Sequence, residues 1–492
     1  MTRYQLFINN EWVDPQAGQW FDSHDPFSGE AWAQIPRGDA NDVNRAVEAA
    51  AAAFEAGPWR SMSATQRGRL MCRLASLIER DAEQLARVEC LDNGKTYKEV
   101  LGQIKYVAQY FYYYGGLADK IEGAVVPNDK PGVFTYVKYQ PVGVVACITP
   151  WNSSLSITAW KATPALCAGN TLVCKPSEFT SASLFELAKL VAEAGFPPGV
   201  FNIVTGMGAE VGDPLVRHPQ VRHVSFTGGD EAGRKIYVAA AEGLKRVTLE
   251  LGGKSPNIVF DDADLDRAVN GALGGIYSAA GQTCVAGSRL LLQDSIHDEF
   301  VERLLEKTKH AKLGPPTDSS TEMGPVATRP QFEKILRYIE IAKGEGARCV
   351  SGGRSLSGPN YGCGQFIEPT VFVDVRNDMR IAQEEVFGPV LAVLRFKDEE
   401  DAIRIANDIR FGLAAGVWTR SLHRAMLMAD CIKAGTVWVN NYRSSSFTTP
   451  LGGVKDSGIG REGGMEAVKE FMESKSVWIS SDLPMSSPFA AK

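Results

Sequence analysis

Short apolar runs alternate with longer stretches of helical periodicity along most of the chain. Residues 142–148 form an uninterrupted apolar run, as expected of a strand buried on both faces, and residues 42–56 and 63–92 have the spacing of amphipathic helices. This alternation predicts an α/β protein with a mostly parallel sheet. Because chemistry in such proteins concentrates where strands end, the following loop 149–152 is a candidate site.

Two segments depart from this pattern. Residues 121–140 contain Pro127, Pro131 and Gly132 beside the alternating run 133–137, which predicts a projecting hairpin. Residues 473–480 have the pattern of an apolar edge strand, which would promote aggregation if it were left unpaired. We expect that strand to pair with a neighbouring subunit.

Composition narrows the class of protein. A chain of 492 residues is longer than one hydrophobic core usually serves, so several packed units are expected. The net charge of −6 leaves no basic surplus for nucleic acid. No apolar run approaches the ~20 residues of a membrane span, and the first ten residues do not resemble a secretory leader. We therefore expect a cytoplasmic protein that binds neither nucleic acid nor membrane.

Cysteine and histidine usage bears on redox state and metals. The nine cysteines are scattered without a C-x-x-C pair, so reduced thiols are expected. The six histidines form no recognisable metal motif, and the acidic run 261–264 lacks the remaining ligands of a calcium loop. We expect no catalytic metal.

Two segments carry candidate chemistry. Cys284 is flanked by small residues within 281–289, so its thiol is open to attack a carbon centre. Glu250 lies at an apolar, glycine-lined strand end, where a carboxylate can act as a base near neutral pH. A lone cysteine is more often an inert buried residue than a nucleophile. The presence of both segments favours a covalent enzyme.

Both segments resemble the catalytic signatures of the aldehyde dehydrogenase superfamily, in its NAD(P)-dependent, hydrolytic, non-CoA-acylating branch. The resemblance covers nearly the whole chain. It implies a Rossmann-like parallel-sheet cofactor domain from residues 1–120 and 141–253, and a second α/β domain, 254–446, that bears the catalytic cysteine. Residues 121–140 and 470–492 would form a small β oligomerisation arm in a homodimer or homotetramer.

The resemblance also implies catalytic roles. Cys284 would attack the aldehyde carbon, and the Asn152 amide with the Cys284 N–H would stabilise the resulting oxyanion. Glu250 would deprotonate the water that hydrolyses the acyl-enzyme, and Lys161 would order the hydrogen-bond network near the cofactor. Taken alone, Asn152 could equally cap the following helix.

Cofactor binding cannot rest on the ordinary G-x-G-x-x-G fingerprint, because the glycines of 205–212 have the wrong spacing. A strand instead runs into Gly228 and Gly229 before a helical stretch, which predicts a pyrophosphate site. The matching family motif usually ends Gly-Ser, so Gly229 would lose a hydroxyl contact. In the family, residues equivalent to Lys175 and Glu178 meet the adenosine ribose, and a carboxylate there disfavours NADP, which favours NAD and leaves NADP as the alternative.

The nicotinamide end of the cofactor is predicted from residues 384–389, which resemble the family segment whose glutamate holds the nicotinamide ribose. That role falls to Glu385, while Phe387 would abut the ring. The remaining predicted cofactor contacts are Thr149, Pro150, Trp151, Phe226, Thr227, Leu251 and Gly252.

The predicted substrate pocket is more polar than in relatives that oxidise small aldehydes. Ser153, Ser278 and Ser445 stand where those relatives carry aromatic rings, so a bulkier or more polar aldehyde is expected. Arg443 could pair with the carboxylate of a semialdehyde acid, although an exposed structural arginine is an equal alternative. Trp160 stands where succinate-semialdehyde oxidisers carry arginine, which argues against that substrate. Ile157, Thr283 and Leu451 complete the predicted pocket.

Alternatives remain at this level. A CoA-acylating relative would use a thiol in place of water, but that branch commonly lacks the base that Glu250 provides. A silent binding or structural protein on the same fold is disfavoured by Cys284, Glu250 and Asn152 together. Residues 450–462 resemble the family's glycine-rich closing loop and are expected to be structural.

Overall fold

The computed structural model describes residues 1–480 and residue 489. Its first large sheet has eight strands, of which the central five are parallel and the outer ones antiparallel. In spatial order the strands are Gly458–Ile459, Arg246–Glu250, Val221–Thr227, Val144–Ile148, Thr171–Lys175, Phe201–Ile203, Leu6–Ile8 and Glu11–Val13.

The second large sheet has seven strands and is parallel except for its first pair. Its strands, in spatial order, are Arg348–Ser351, Thr370–Val373, Val390–Phe396, Arg289–Gln293, Pro256–Val259, Ala414–Trp418 and Thr436–Val439. A small three-stranded sheet contains Thr2–Arg3, Ala31–Pro36 and Trp20–His24. Two further two-stranded sheets pair Ser355–Leu356 with Phe366–Ile367 and Phe411–Gly412 with Val454–Lys455.

Helices cover both faces of each large sheet, which confirms the predicted α/β class. Those associated with the first sheet are Ala40–Glu55, Pro58–Ser61, Ala64–Arg80, Ala82–Asn93, Tyr97–Leu117, Ser154–Ala168, Ala182–Ala194, Asp213–Arg217, Asp230–Glu242 and Glu466–Glu470. Those associated with the second are Leu265–Tyr277, His297–Thr308, Arg329–Gly344, Arg380–Gln383, Glu399–Asn407 and Leu422–Cys431. No described helix is long and apolar enough to cross a membrane.

Strand alternation explains this layering. In the strand Val144–Ile148, Val145 and Cys147 belong to one core cluster, whereas Val144 and Ala146 belong to the cluster on the opposite face. Both sets are buried, which is why the sequence shows a continuous apolar run rather than a polar alternation.

The stretch 63–92, predicted as one helix, is two helices that meet at Asp81. Asp81 leaves the helical conformation (φ −103°, ψ 16°), and its carboxylate accepts hydrogen bonds from Arg80. Ser63 and Gln66 form a capping box at the start of the first helix, as that pair of residue types favours.

The hairpin predicted for 121–140 is present, and its long strand Val133–Pro141 pairs with Ala124–Val125 and with Met472–Ser480. The last strand therefore pairs with Val133–Pro141 of the same chain on one side and is the end strand of this sheet, so pairing of its other side with a neighbouring subunit stays a prediction. Phe134, Trp478 and Ile479 remain exposed on the three-stranded sheet. The rest of the predicted arm, 481–492, lies outside the described residues apart from Phe489.

A close helix crossing yields the first prediction. A Cβ added to Gly68 would lie 2.2 Å from the carbonyl oxygen of Gly115 on the neighbouring helix. We expect Gly68→Ala to lower the free energy of unfolding by about 1–3 kcal/mol, since the helices cannot separate without disturbing their packing.

Gly116→Ala is the matched control, because a Cβ at this exposed position of the neighbouring helix Tyr97–Leu117 meets no atom within 4 Å. We expect it to be neutral or to stabilise the protein by up to about 1 kcal/mol through helix propensity. Urea unfolding followed by circular dichroism measures both changes. Equal destabilisation by the two substitutions would contradict the close-crossing explanation.

Candidate active site

The candidate site lies where the carboxyl ends of the first sheet's parallel strands face the second sheet. Three adjoining cavities run along this edge. The outer and middle cavities share Pro150, Trp151, Thr227, Gly228 and Gly229, and the middle and inner cavities share Asn152, Ile157 and Cys284. Most of the sequence-predicted residues thus meet along one continuous path, whereas Glu250, Lys161 and Ser278 line none of the three cavities.

The outer cavity, about 530 Å³, fits the adenosine and pyrophosphate end of a dinucleotide. Lys175 Nζ lies 3.6 Å from Glu178 Oε2 at the end of its strand. Gly229 precedes the helix Asp230–Glu242, and a Cβ there would meet no atom within 4 Å. An open helix start offers N–H donors to phosphate oxygens. The predicted residues lining this cavity are Thr149, Pro150, Trp151, Lys175, Glu178, Phe226, Thr227, Gly228 and Gly229.

The middle cavity, about 160 Å³, brings Glu385 and Phe387 to Leu251 and Gly252. Glu385 Oε1 accepts a hydrogen bond from the Gly253 N–H at 3.1 Å. A Cβ on Gly252 would lie 2.3 Å from Glu385 Oε2, so only glycine permits this approach. Burial raises the pKa of Glu385 to about 6.

Phe387 is held in an unusual conformation. Its φ of 59° is left-handed, which typically costs a bulky residue about 1 kcal/mol or more. Gln331 Nε2 donates to the carbonyl oxygens of Val386 and Phe387 at 2.8 and 2.9 Å, and the Trp151 ring meets Phe387 nearly edge-on. Gln331 was not predicted from the sequence, because its distance along the chain hides this contact.

A strained turn presents Cys284. Ala279, Ala280 and Gly281 have φ values of 54°, 52° and 72°. A Cβ on Gly281 would lie 2.1 Å from the Gly388 carbonyl oxygen, which excludes any larger residue there. Gln282 ties the turn down, because its side-chain oxygen accepts from the Ala327 N–H at 2.9 Å.

Asn152 joins the two sheets at this turn. Its Nδ2 donates to the Gln282 carbonyl oxygen at 3.0 Å. The helix Ser154–Ala168 begins after Ser153 and has no side-chain cap, so the alternative reading of Asn152 as a helix cap is wrong. One amide hydrogen of Asn152 remains available to a ligand atom beside Cys284.

The Cys284 thiol is protonated in the resting site. Burial, together with the carboxylates of Glu385 and Glu250, raises its pKa to about 12. Arg443 and a backbone hydrogen bond act in the opposite direction. Reaction therefore requires a change in this electrostatic environment.

Glu250 belongs to a buried ionic cluster that the sequence did not reveal. Glu462 and Lys161 are fully buried, with Lys161 Nζ 2.5 Å from Glu462 Oε1 and 3.2 Å from Ser225 Oγ. Desolvation raises the pKa of Glu250 well above its ordinary value, Glu462 adds to the rise, and Lys161 opposes it. Residues 450–462 are thus more than a structural loop, and Lys161 acts beneath Glu250 and lines none of the three cavities.

The inner cavity, about 380 Å³, lies beyond Cys284. Ser278 does not line it, because this residue lies behind Arg443, with its carbonyl oxygen facing the guanidinium. The other predicted pocket residues do line it: Ser153, Ile157, Trp160, Thr283, Arg443, Ser445 and Leu451. Lys95, Glu99, Gln103 and Tyr106 also line the wall and were not predicted. In the sequence, Lys95 follows an Asn-Gly pair and looks like an ordinary surface turn.

Among the described residues, no group of three His, Cys, Asp or Glu side chains could hold a metal ion.

Known proteins match the chain along its length. The model of the Aldehyde dehydrogenase family matches residues 12–477. A (Z)-2-((N-methylformamido)methylene)-5-hydroxybutyrolactone dehydrogenase of Acinetobacter baylyi is 46% identical and covers 100% of both chains. A betaine aldehyde dehydrogenase of Bacillus subtilis is 44% identical over 96% of each. The crystal structure of a Staphylococcus aureus betaine aldehyde dehydrogenase in complex with NAD+ has a TM-score of 0.97 and 42% identity, covering 99% of this chain and 97% of that one.

The electrostatics of Cys284 yield a prediction about thiol reactivity. Glu385→Gln removes a charge that raises the thiol pKa but keeps an oxygen for the Gly253 N–H. We expect iodoacetamide to alkylate Cys284 about threefold to tenfold faster in this variant at mildly alkaline pH, because more thiolate is present. Mass spectrometry of the Cys284 peptide over time measures the rate.

Glu384→Gln is the control, since the neighbouring carboxylate pairs with Arg380 and Tyr338 instead of facing Cys284. Its alkylation rate should equal that of the wild type. A Glu385→Gln rate no faster than this control would show that the Glu385 charge does not govern the thiol.

Proposed function

Since the chain belongs to the aldehyde dehydrogenase family, we propose that it oxidises a bulky or polar aldehyde to the carboxylic acid, with NAD as hydride acceptor. One observation carries the proposal. Cys284 and Asn152 line both the middle cavity, which contains Glu385 and Phe387, and the polar inner cavity. A carbonyl group entering from the inner side would meet the thiol and the amide together, opposite a bound nicotinamide.

In the first step, the Cys284 thiol releases its proton to solvent, the sulfur bonds to the aldehyde carbon and the π electrons of the carbonyl move to its oxygen, giving a thiohemiacetal anion. The negative charge that develops on the oxygen accepts a hydrogen bond from the free amide hydrogen of Asn152. The Gln282 carbonyl fixes the orientation of that amide. Bound NAD, held by Glu385 and Phe387, would supply the hydride acceptor, and loss of hydride from the thiohemiacetal carbon would leave a thioester on Cys284.

Glu250 then serves the hydrolytic step. Its carboxylate takes a proton from water, the water oxygen adds to the thioester carbon, and the C–S bond breaks to release the acid. Because burial and Glu462 raise the pKa of Glu250, the carboxylate is a stronger base than an exposed glutamate. Lys161 offsets the negative charge shared by Glu250 and Glu462. This base favours water over CoA as the acyl acceptor.

The choice of NAD is supported by Glu178 beside Lys175, where a carboxylate would repel the additional phosphate of NADP. Glu385 and Phe387 are proposed to hold the nicotinamide ribose and ring. The NAD+ complex of the Staphylococcus aureus relative is in line with this choice.

A polar substrate is supported by Ser153 and Ser445 on the inner-cavity wall, in positions where rings would narrow it. The relatives named for betaine aldehyde and for a 5-hydroxybutyrolactone act on polar compounds. As a chemical class, 5-hydroxybutyrolactones are ring-closed forms of aldehyde acids, in which the carboxylate has added to the aldehyde carbon. We propose a substrate with comparable polarity.

The predicted division of the chain is also retained as a proposal. Residues 1–120 and 141–253 would bind the cofactor, 254–446 would carry the cysteine, and 121–140 with 470–492 would form the oligomerisation arm. Exposed Phe134, Trp478 and Ile479 support burial of that arm in a homodimer or homotetramer. The ordinary acidic composition agrees with a cytoplasmic location.

Formation of NADH across a panel of aldehydes, with and without CoA, tests the function. We expect oxidation without CoA, and a loss of at least about a thousandfold in kcat for Cys284→Ala, because the covalent route is removed. NAD binding by the same variant, measured by calorimetry, checks that its fold survives. Cofactor binding without oxidation of any aldehyde by the wild type would refute the proposal.

The ionic cluster predicts opposite pH shifts. The active form of Glu250 is the carboxylate, so hydrolysis of the acyl-enzyme increases as pH rises through its pKa. Glu462→Gln removes a neighbour that raises the pKa of Glu250, so the increase in hydrolysis rate should move to lower pH. Lys161→Met removes a neighbour that lowers this pKa, so the increase in hydrolysis rate should move to higher pH.

Each shift is expected to be about one pH unit. Stopped-flow measurement of acyl-enzyme decay against pH detects it. Glu466→Gln, on an exposed position of the next helix, should match the wild type. Shifts in the same direction for Glu462→Gln and Lys161→Met would contradict the electrostatic role of the cluster.

A further inference from the structure

Two basic side chains on the inner-cavity wall have no carboxylate partner among the described residues. The first is Lys95, which is 4% exposed. Its Nζ donates to Ser153 Oγ and lies 3.4 Å from Gln103 Oε1. Both acceptors are neutral, so the ammonium charge is buried without an ion pair. Burial without compensation is costly, which lowers the pKa of Lys95 to about 8.

The second is Arg443, at the opposite end of the chain. Its Nη2 donates to Thr283 Oγ1 at 3.2 Å, and its Nη1 donates to the Gly274 carbonyl oxygen at 3.2 Å. The backbone φ of 65° is left-handed, a conformation that arginine seldom adopts. The surrounding structure therefore holds the Arg443 backbone in a strained conformation, with the guanidinium beside Thr283.

One carboxylate, Glu99, lines the described wall of the same cavity. It is already engaged, because Oε1 accepts from the Ala279 N–H at 2.9 Å and Oε2 accepts from the Thr96 hydroxyl at 3.1 Å. It partly offsets the charges of Lys95 and Arg443 without forming an ion pair with either. The buried Glu89 also acts on Lys95 but does not line the cavity, so the described wall itself carries two cations and one carboxylate.

The two cations bracket the reaction centre. Lys95 contacts Ser153, which follows Asn152, and Arg443 contacts Thr283, which precedes Cys284. An aldehyde carbon bonded to Cys284 would therefore direct the rest of its molecule into the space that both cations face. A carboxylate can accept hydrogen bonds from an ammonium and a guanidinium at once, and charge-assisted bonds of this kind are strong.

We infer that Lys95 and Arg443 form an anion-binding subsite, and that the substrate is an aldehyde that carries a carboxylate. The inference rests on the proposed aldehyde oxidation and specifies its substrate class. Trp160, Tyr106 and Trp438 line the remaining wall, so the stem between aldehyde and carboxylate contacts aromatic rings. The substrate carboxylate supplies a negative charge to pair with these two cations on the described wall.

The first test compares adipate semialdehyde with its methyl ester on the wild-type holoenzyme. The two compounds share the aldehyde and the stem and differ in charge. We expect kcat/KM to be at least about tenfold higher for the acid, mainly through a lower KM, since the charge pairing forms on binding. Equal values, or preference for the ester, would overturn the subsite. This result would leave aldehyde oxidation intact, whereas failure to oxidise either compound or any other aldehyde would refute the proposed function and the subsite with it.

The second test identifies the residues. In Lys95→Met and Arg443→Gln, the acid-to-ester ratio of kcat/KM should fall to between about one and three, while Arg443→Lys, which keeps the charge, should retain most of it. The ratio is insensitive to a general loss of activity, because both substrates use the same site. Lys105→Met is the matched control, on an exposed position of the helix Tyr97–Leu117, and should keep the wild-type ratio. An unchanged ratio in both Lys95→Met and Arg443→Gln would overturn the assignment.

Discussion

The hydrogen bond from Asn152 to the Gln282 carbonyl oxygen, 3.0 Å long, is the contact on which the rest of the site depends. It ties a loop at the end of the first sheet to the turn that presents Cys284 from the second sheet. Neither half contains a complete site. This bond, the contact of Glu99 with the Ala279 N–H and the left-handed turn 279–281 bring the thiol, the amide and the two cavities together.

Buried charge is the second organising feature. Glu250, Glu462 and Lys161 share one dry cluster, while Lys95 lies buried on the far side of Cys284 without an ion pair in the described structure. Such groups reduce stability, since desolvation exceeds what their neighbours return. The stability lost by burying these charged side chains is consistent with a site that must move protons and receive a charged ligand. The strained conformations of Phe387 and Arg443 lie along the same path.

Local features of the sequence carried much of this information. The apolar runs predicted strands buried on both faces, and the helical spacings predicted their covering layers. Cys284, Glu250 and Asn152 could be selected because each stands in a distinctive segment. The sequence did not reveal contacts over long chain separations. The strand Met472–Ser480 finds its partner in Val133–Pro141, and Glu462, within an apparently structural loop, lies beside Lys161.

The sequence by itself determined the α/β class, because that class follows from local periodicity, and through a family resemblance it selected Cys284, Glu250 and the pocket serines as candidates. Only the tertiary structure decided which charges are paired. Lys95 looks like an ordinary surface residue in the sequence and Ser278 looks like a pocket residue, yet the fold buries Lys95 and turns the Ser278 carbonyl oxygen toward Arg443. The energy of a charge depends on its solvent and its neighbours, and both are set by residues distant along the chain.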